Sequence, residues 1–141
     1  MAERVYPAVY VFENCLRDII ERVLSSRLGF DWWAHMPSDV KKRFADHKSD
    51  EDRNPWHGKR GNRELDYILL TDLVKIVRAQ WVHFSPLFPN LTWLESVVSD
   101  LNVSRRVLAH MNPLSDDDIQ SIEVAFKKWM KQLQANEALL P

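Results

Sequence analysis

The sequence predicts an all-α fold, an antiparallel bundle of about five helices, on three observations. Apolar residues recur at three- and four-residue spacings over long stretches. The glycines, Gly29, Gly58 and Gly61, all lie between those stretches, and the prolines fall at their edges. No strand-rich pattern, internal repeat or low-complexity segment interrupts them. With 141 residues, 45% of them apolar and including six Trp and six Phe, the chain can bury a single core without staples, so residues 1–141 read as one domain.

Each element follows from local signals. From Pro7 to Arg27, Val9, Phe12, Leu16, Ile19, Ile20 and Val23 form one stripe, with Glu13, Arg17, Asp18, Glu21 and Arg22 on other faces; this is a long amphipathic first helix. Pro37-Ser38-Asp39 opens a weaker, charged second helix to about His47, with Val40, Phe44 and Ala45 to bury. Thr71 or Asp72 can cap a third through Leu73, Ile76, Val77 and Trp81, ahead of the loop Ser85 to Pro89. Thr92 to Ala109 carry Leu94, Val97, Val98, Leu101 and Leu108 on one stripe, and Thr92 with Glu95 reads as a capping box. Ser115 followed by Asp116, Asp117 and Asp118 starts a fifth helix, whose stripe is Ile119, Ile122, Phe126, Trp129, Met130 and Leu133. The short turn before it implies an antiparallel pair.

Charge and composition exclude several classes. The formal net charge of -1 argues against a protein whose whole field attracts nucleic acid, so any RNA contact must come from local basic patches. No segment has eighteen uninterrupted apolar residues, and the N-terminus lacks a basic region followed by an apolar signal stretch, so neither membrane insertion nor secretion is indicated. A lone Cys15 cannot form an internal disulfide and fits a reducing, cytoplasmic setting. No His, Asp or Glu cluster has metal-ligand spacing; the three aspartates after Ser115 read as first-turn acids complementing a helix dipole, and no metal or cofactor is expected.

The most informative stretch is Arg105 to Pro113. Here a helix ends with an arginine, four intervening residues and a histidine, and a guanidinium can clamp phosphate oxygens while an imidazole moves protons near neutral pH. Spacing alone is weak evidence, since eleven Arg and five His give about one such match by chance, and Arg78 with His83 is a second. Setting separates them. Pro113 disfavours helical geometry at Asn112 and so leaves His110 and Asn112 at the helix end, whereas Arg78 and His83 straddle Trp81 inside an apolar run and read as helix surface and loop.

Several motifs in order support a family resemblance. Tyr6-Pro7, Glu13-Asn14 with Leu16-Arg17, Asp31-Trp32-Trp33, Pro55-Trp56-His57-Gly58 with Arg60-Gly61, Asp72-Leu73, and Ala109-His110-Met111 with Pro113-Leu114-Ser115 span most of the chain. Together they resemble a HEPN domain, of the branch shared with a eukaryotic nuclear endonuclease of messenger-ribonucleoprotein quality control and found widely in bacteria. The resemblance implies a helical bundle acting as a metal-independent endoribonuclease and homodimer, with two signature motifs facing each other across a shared cleft and Arg105 and His110 as catalytic residues. Bacterial relatives of this kind often look like cell-arresting or antiviral effectors, with an antitoxin or neighbouring domain as a further partner. The sequence departs from the family at Arg106, where Asn or another small polar residue is usual.

The same chemistry follows from residue types. A base can take the proton of an RNA 2′-hydroxyl that attacks the adjacent phosphate, an acid can protonate the leaving oxygen, and cations can stabilise the oxyanion between them. Two copies of His110 can divide the proton transfers while Arg105 holds the phosphate. Around this pair, Arg106 and Asn112 are expected to contact substrate. His57, Lys59 and Arg60, with Arg63 nearby, can form a basic wall beside the aromatic Trp56, although a loop anchored to the core by its Trp fits the same residues. Glu13 and Asn14 can steady the motif arginine, or simply be solvated. Lys127, Lys128 and Lys131 can touch phosphates or be a basic helix surface. The competing function is a non-catalytic module that dimerises or docks on a neighbouring domain, and the tail Gln134 to Pro141, which stops without an obvious ending, fits an N-terminal piece of a longer protein.

Overall fold

The computed structural model describes residues 2–58, 61–109 and 115–141, with side chains for 8–56, 61–102 and 115–141. Among these residues the chain is all-helical, as expected, with six α-helices where about five were read. They are α1 (Ala2–Leu28), α2 (Ser38–Arg53), α3 (Leu70–Ala79), α4 (Trp81–Phe84), α5 (Leu91–Ala109) and α6 (Asp116–Ala135). Short 3-10 turns at Trp32–His35, Pro55–His57, Glu64–Tyr67 and Glu137–Leu139 connect or follow them.

The long helix α1 is the spine. Its stripe Phe12, Leu16, Ile19, Ile20, Val23 and Leu24 is almost wholly buried, and each such side chain contributes about 2 kcal/mol relative to exposure. Helix α6 packs on it through Phe12 and Trp129, an edge-to-face pair 4.8 Å apart, and Phe88 stacks on the other side of Trp129 at 5.6 Å. Arg22 near the far end of α1 donates to the carbonyl of Pro141, so α1 and α6 run side by side in the same direction. Helix α5 returns antiparallel to α6 and buries Leu94, Val97, Val98 and Leu101.

Several local readings need correction. Helix α1 begins at Ala2, so Pro7 lies inside it; a proline there removes only the amide that would bond one first-turn carbonyl. Helix α2 runs to Arg53 rather than about His47, its last turns held by Lys48 with Glu51 and Asp52 and by Arg53 with Asp50, while Ala45 is exposed. Helix α3 stops at Ala79, and Trp81 starts the separate α4. Asp72 caps from within the first turn, its carboxylate accepting the Leu69 N–H at 3.0 Å, and Thr71 is exposed. At the start of α5, Asn90 Oδ1 accepts the Trp93 N–H at 2.7 Å, so Asn90 replaces the expected Thr92 as cap, and Glu95 instead reaches Arg78. On α6 the predicted Ser115 capping box forms, with Asp118 N–H donating to Ser115 Oγ at 3.1 Å, but Met130 faces outward and Ala125 takes its place in the core.

Candidate functional site

Of the predicted site residues, His110, Asn112, Lys59 and Arg60 lie outside the described residues. Arg105, Arg106 and His57 are described in backbone only: the first two in α5, the third in the 3-10 turn Pro55–His57. Helix α5 includes positions 105 and 106 and is described through Ala109; His110 itself lies outside the described residues.

Helical register distinguishes the two arginine positions. Position 105 follows the buried Leu101 by four residues and the buried Val98 by seven along α5. Position 106 follows Asn102 by four and Ser99 by seven, and both of those line a groove against α3. Helices α3 and α5 are antiparallel. Arg78 reaches Glu95 at 2.9 Å at one end of the groove, and Thr71 and Asn102 line it at the other, so α5 carries positions 105 and 106 past the beginning of α3.

Helix α1 meets α3 at that beginning. Arg17 donates through Nε to the Leu65 carbonyl at 3.0 Å and through Nη2 to the Ile68 carbonyl at 3.3 Å, which fixes the segment leading into α3. Glu13, one turn earlier on α1, pairs with Arg17 at 3.5 Å and is only 4% exposed. A carboxylate is this deeply buried only when cations and donors surround it, so the solvated reading of Glu13 is wrong. Asn14 differs: its amide donates to the Tyr10 carbonyl at 3.0 Å on its own helix. Sequence reasoning missed the role of Arg17. Nothing in its local pattern marks a side chain that binds carbonyls some fifty residues away.

The expected basic wall is reduced by the structure. Arg63 is spent on the fold, pairing with Asp18 at 2.6 Å, Glu21 at 2.9 Å and Asp66 at 3.2 Å. Burial opposes its charge, but the hydrogen bonds to Glu21, Asp18 and Asp66 outweigh burial and raise its pKa. These contacts tie the loop to α1 one to two turns beyond Glu13. Gly61 fits so closely against Asp66 that a Cβ would lie 2.3 Å from Oδ2, and its carbonyl accepts the Tyr67 hydroxyl at 3.2 Å. Trp56 is 74% exposed, so it does not anchor the loop in the core. The second arginine-histidine match is ordinary surface, with Arg78 engaged by Glu95 and a helix break between it and His83. Lys127, Lys128 and Lys131 stand on the exposed side of α6.

Among the described residues no group of three His, Cys, Asp or Glu side chains converges as metal ligands would. No described helix is long and apolar enough to cross a membrane.

The class is thereby defined: among the described residues, a small all-helical bundle whose long first helix buries an acid, Glu13, beside Arg17. Residues 8–134 match the family described as Swt1-like HEPN, and the chain belongs to that family. HEPN membership points to a nuclease or RNA-related function. Neither a curated protein nor a solved structure matches the chain.

Proposed function

We propose that this HEPN domain is a metal-independent endoribonuclease that cuts RNA in a cleft shared by two copies of the chain. The observation that carries the reading is the position of the signature: α5 stays helical to Ala109, so positions 105 and 106 occupy its final turns and His110 follows at once, within a family match that spans residues 8–134.

In this mechanism one neutral His110 takes the proton of the 2′-hydroxyl as its oxygen attacks phosphorus, and the protonated His110 of the second copy gives its proton to the departing 5′-oxygen. The products are a 2′,3′-cyclic phosphate and a 5′-hydroxyl end. An imidazole with an ordinary pKa of about 6.5 suits either role near neutral pH. Arg105 clamps the phosphate as charge builds on its oxygens, with Arg106 and Asn112 at the edge of the site and His57, Lys59 and Arg60 guiding the strand. The homodimer follows from needing two signatures, which one subunit cannot supply. Resemblance to bacterial relatives supports a cytoplasmic, cell-arresting or antiviral role, held in check by an antitoxin or a neighbouring domain.

Cleavage of mixed-sequence RNA and DNA, with and without EDTA, is the test. Wild-type protein is expected to cut RNA alone, insensitively to chelation, and His110→Ala to be inert. Activity lost in EDTA and restored by magnesium or manganese would refute the metal-free scheme. No cleavage under any condition would leave the non-catalytic dimerisation or docking module, the reading that the departure at Arg106 favours.

A further inference from the structure

We propose that the groove between α3 and α5 is a base-reading subsite that seats the nucleotide next to the scissile phosphate. The inference rests on the nuclease reading above and extends it to residues no motif marks. The groove has a volume of about 350 Å³, within the range of small-ligand sites, and is lined by Thr71, Val74, Lys75 and Arg78 from α3 and by Glu95, Val98, Ser99 and Asn102 from α5.

Its chemistry selects a base over a phosphate. Both cations are already neutralised, Lys75 by Asp39 at 2.9 Å and Arg78 by Glu95 at 2.9 Å, so the groove has no spare positive charge to offer an anion. At the end nearer the signature, Val74 and Val98 supply an apolar floor, and Thr71, Ser99 and Asn102 stand around it. None of these three side chains forms a hydrogen bond among the described residues. Two hydroxyls that both donate and accept, and an amide that presents a donor beside an acceptor, are what reads the edge of an unstacked base, while valines cover its face.

Position makes the assignment specific. Asn102 precedes position 106 by one helical turn, about 6 Å along α5. A strand whose phosphate is clamped at the signature therefore brings a flanking base to the groove, and Asn102, Ser99 and Thr71 become specificity-determining residues of the cleavage.

Two variants test this. Asn102→Ala is expected to relax base preference at one position flanking the cut by about tenfold, read by sequencing cleavage ends from a mixed-sequence RNA. Ser99→Trp, a change at an exposed position, fills the groove; placed in the uncut His110→Ala background it is expected to weaken binding of a short labelled single-stranded RNA about tenfold with circular dichroism unchanged. Unaltered cleavage ends together with unaltered affinity would overturn the subsite while leaving the nuclease intact. Affinity lost in Ser99→Trp without cleavage by the wild type would uphold the groove and overturn the nuclease reading, and RNA neither bound nor cut would overturn both.

Discussion

Asp72 is wholly buried at the start of α3, and its surroundings predict that removing its partner harms the protein more than removing its charge. Its Oδ2 accepts the Leu69 N–H at 3.0 Å and lies 2.8 Å from Arg43 Nε, while Lys75 Nζ is 4.0 Å from Oδ1. The Arg43 contact lies off the N–H axis and is an ion pair rather than an aligned hydrogen bond. Exposure is unequal: the Arg43 side chain is 39% accessible and the Asp72 side chain 0%. Arg43→Ala strands a buried carboxylate, an event that costs about 3–5 kcal/mol in general. Lys75 and the Leu69 amide remain to offset it, so about 2–3 kcal/mol is expected here, a fall in melting temperature on the order of 8 °C. Asp72→Asn keeps an oxygen for the Leu69 N–H and frees Arg43 to turn into water, and should cost about 1 kcal/mol. The double variant should then be more stable than Arg43→Ala alone, with a coupling of about 1–2 kcal/mol. Urea unfolding followed by circular dichroism measures all three. Additive losses, leaving the double variant the least stable, would refute the reasoning and show that Asp72 acts through the Leu69 cap alone.

Arg105→Ala should slow RNA cleavage by about 10²–10³, as loss of a transition-state donor does, and Arg106→Ala by about tenfold, both variants remaining helical; the reverse order would show that the signature is shifted by one residue. Light scattering after size exclusion should return the mass of a dimer, and a strict monomer at micromolar concentration would remove the shared cleft. The Tyr67 phenol, raised in pKa by burial and by its hydrogen bond to Glu51 at 2.8 Å, holds its proton more tightly in the folded state. Its contribution is thus full below its ordinary value of 10.0 and is lost as pH rises through the raised one, so Tyr67→Phe should flatten the fall of melting temperature above that pH, and parallel wild-type and variant curves would contradict this.

What was legible in the sequence was what depends on neighbours along the chain. The stripes of α1 and α5 and the Ser115 box are set by spacing and by one or two capping side chains. The sequence points to Thr92 because Asn90 and Thr92 are both competent caps two residues apart, and the structure caps the helix with Asn90. The last turns of α2 bury almost nothing; ion pairs and the Tyr67 hydroxyl on Glu51 sustain them, and a hydrophobic pattern carries no trace of either. Met130 fits the periodic stripe but is exposed, while Ala125, outside that stripe, is buried. The burial of Glu13 depends on Arg17 and on where α3 begins, and the groove depends on residues 71 and 102 meeting across two helices. Such juxtapositions leave no periodic signal.

Charge then argues for how such a site works. Ten of the described arginines and lysines are held by a carboxylate or a carbonyl, and Arg27, Lys127, Lys128 and Lys131 stand without one. A protein of net charge -1 whose described cations are mostly paired has little long-range attraction for a polyanion, so on the proposed reading each phosphate is gripped by a few residues at short range. Affinity from counterion release is correspondingly small, which puts discrimination on hydrogen bonds and shape. Helix α5 meets that demand by dividing its faces: one phase, Leu94, Val97, Val98 and Leu101, holds the bundle rigid, while the next, Glu95, Ser99 and Asn102, opens on the groove. Positions 105 and 106 follow Leu101 and Asn102 by four residues each, so on the proposed reading the helix that carries the phosphate clamp also sets its distance from the base subsite.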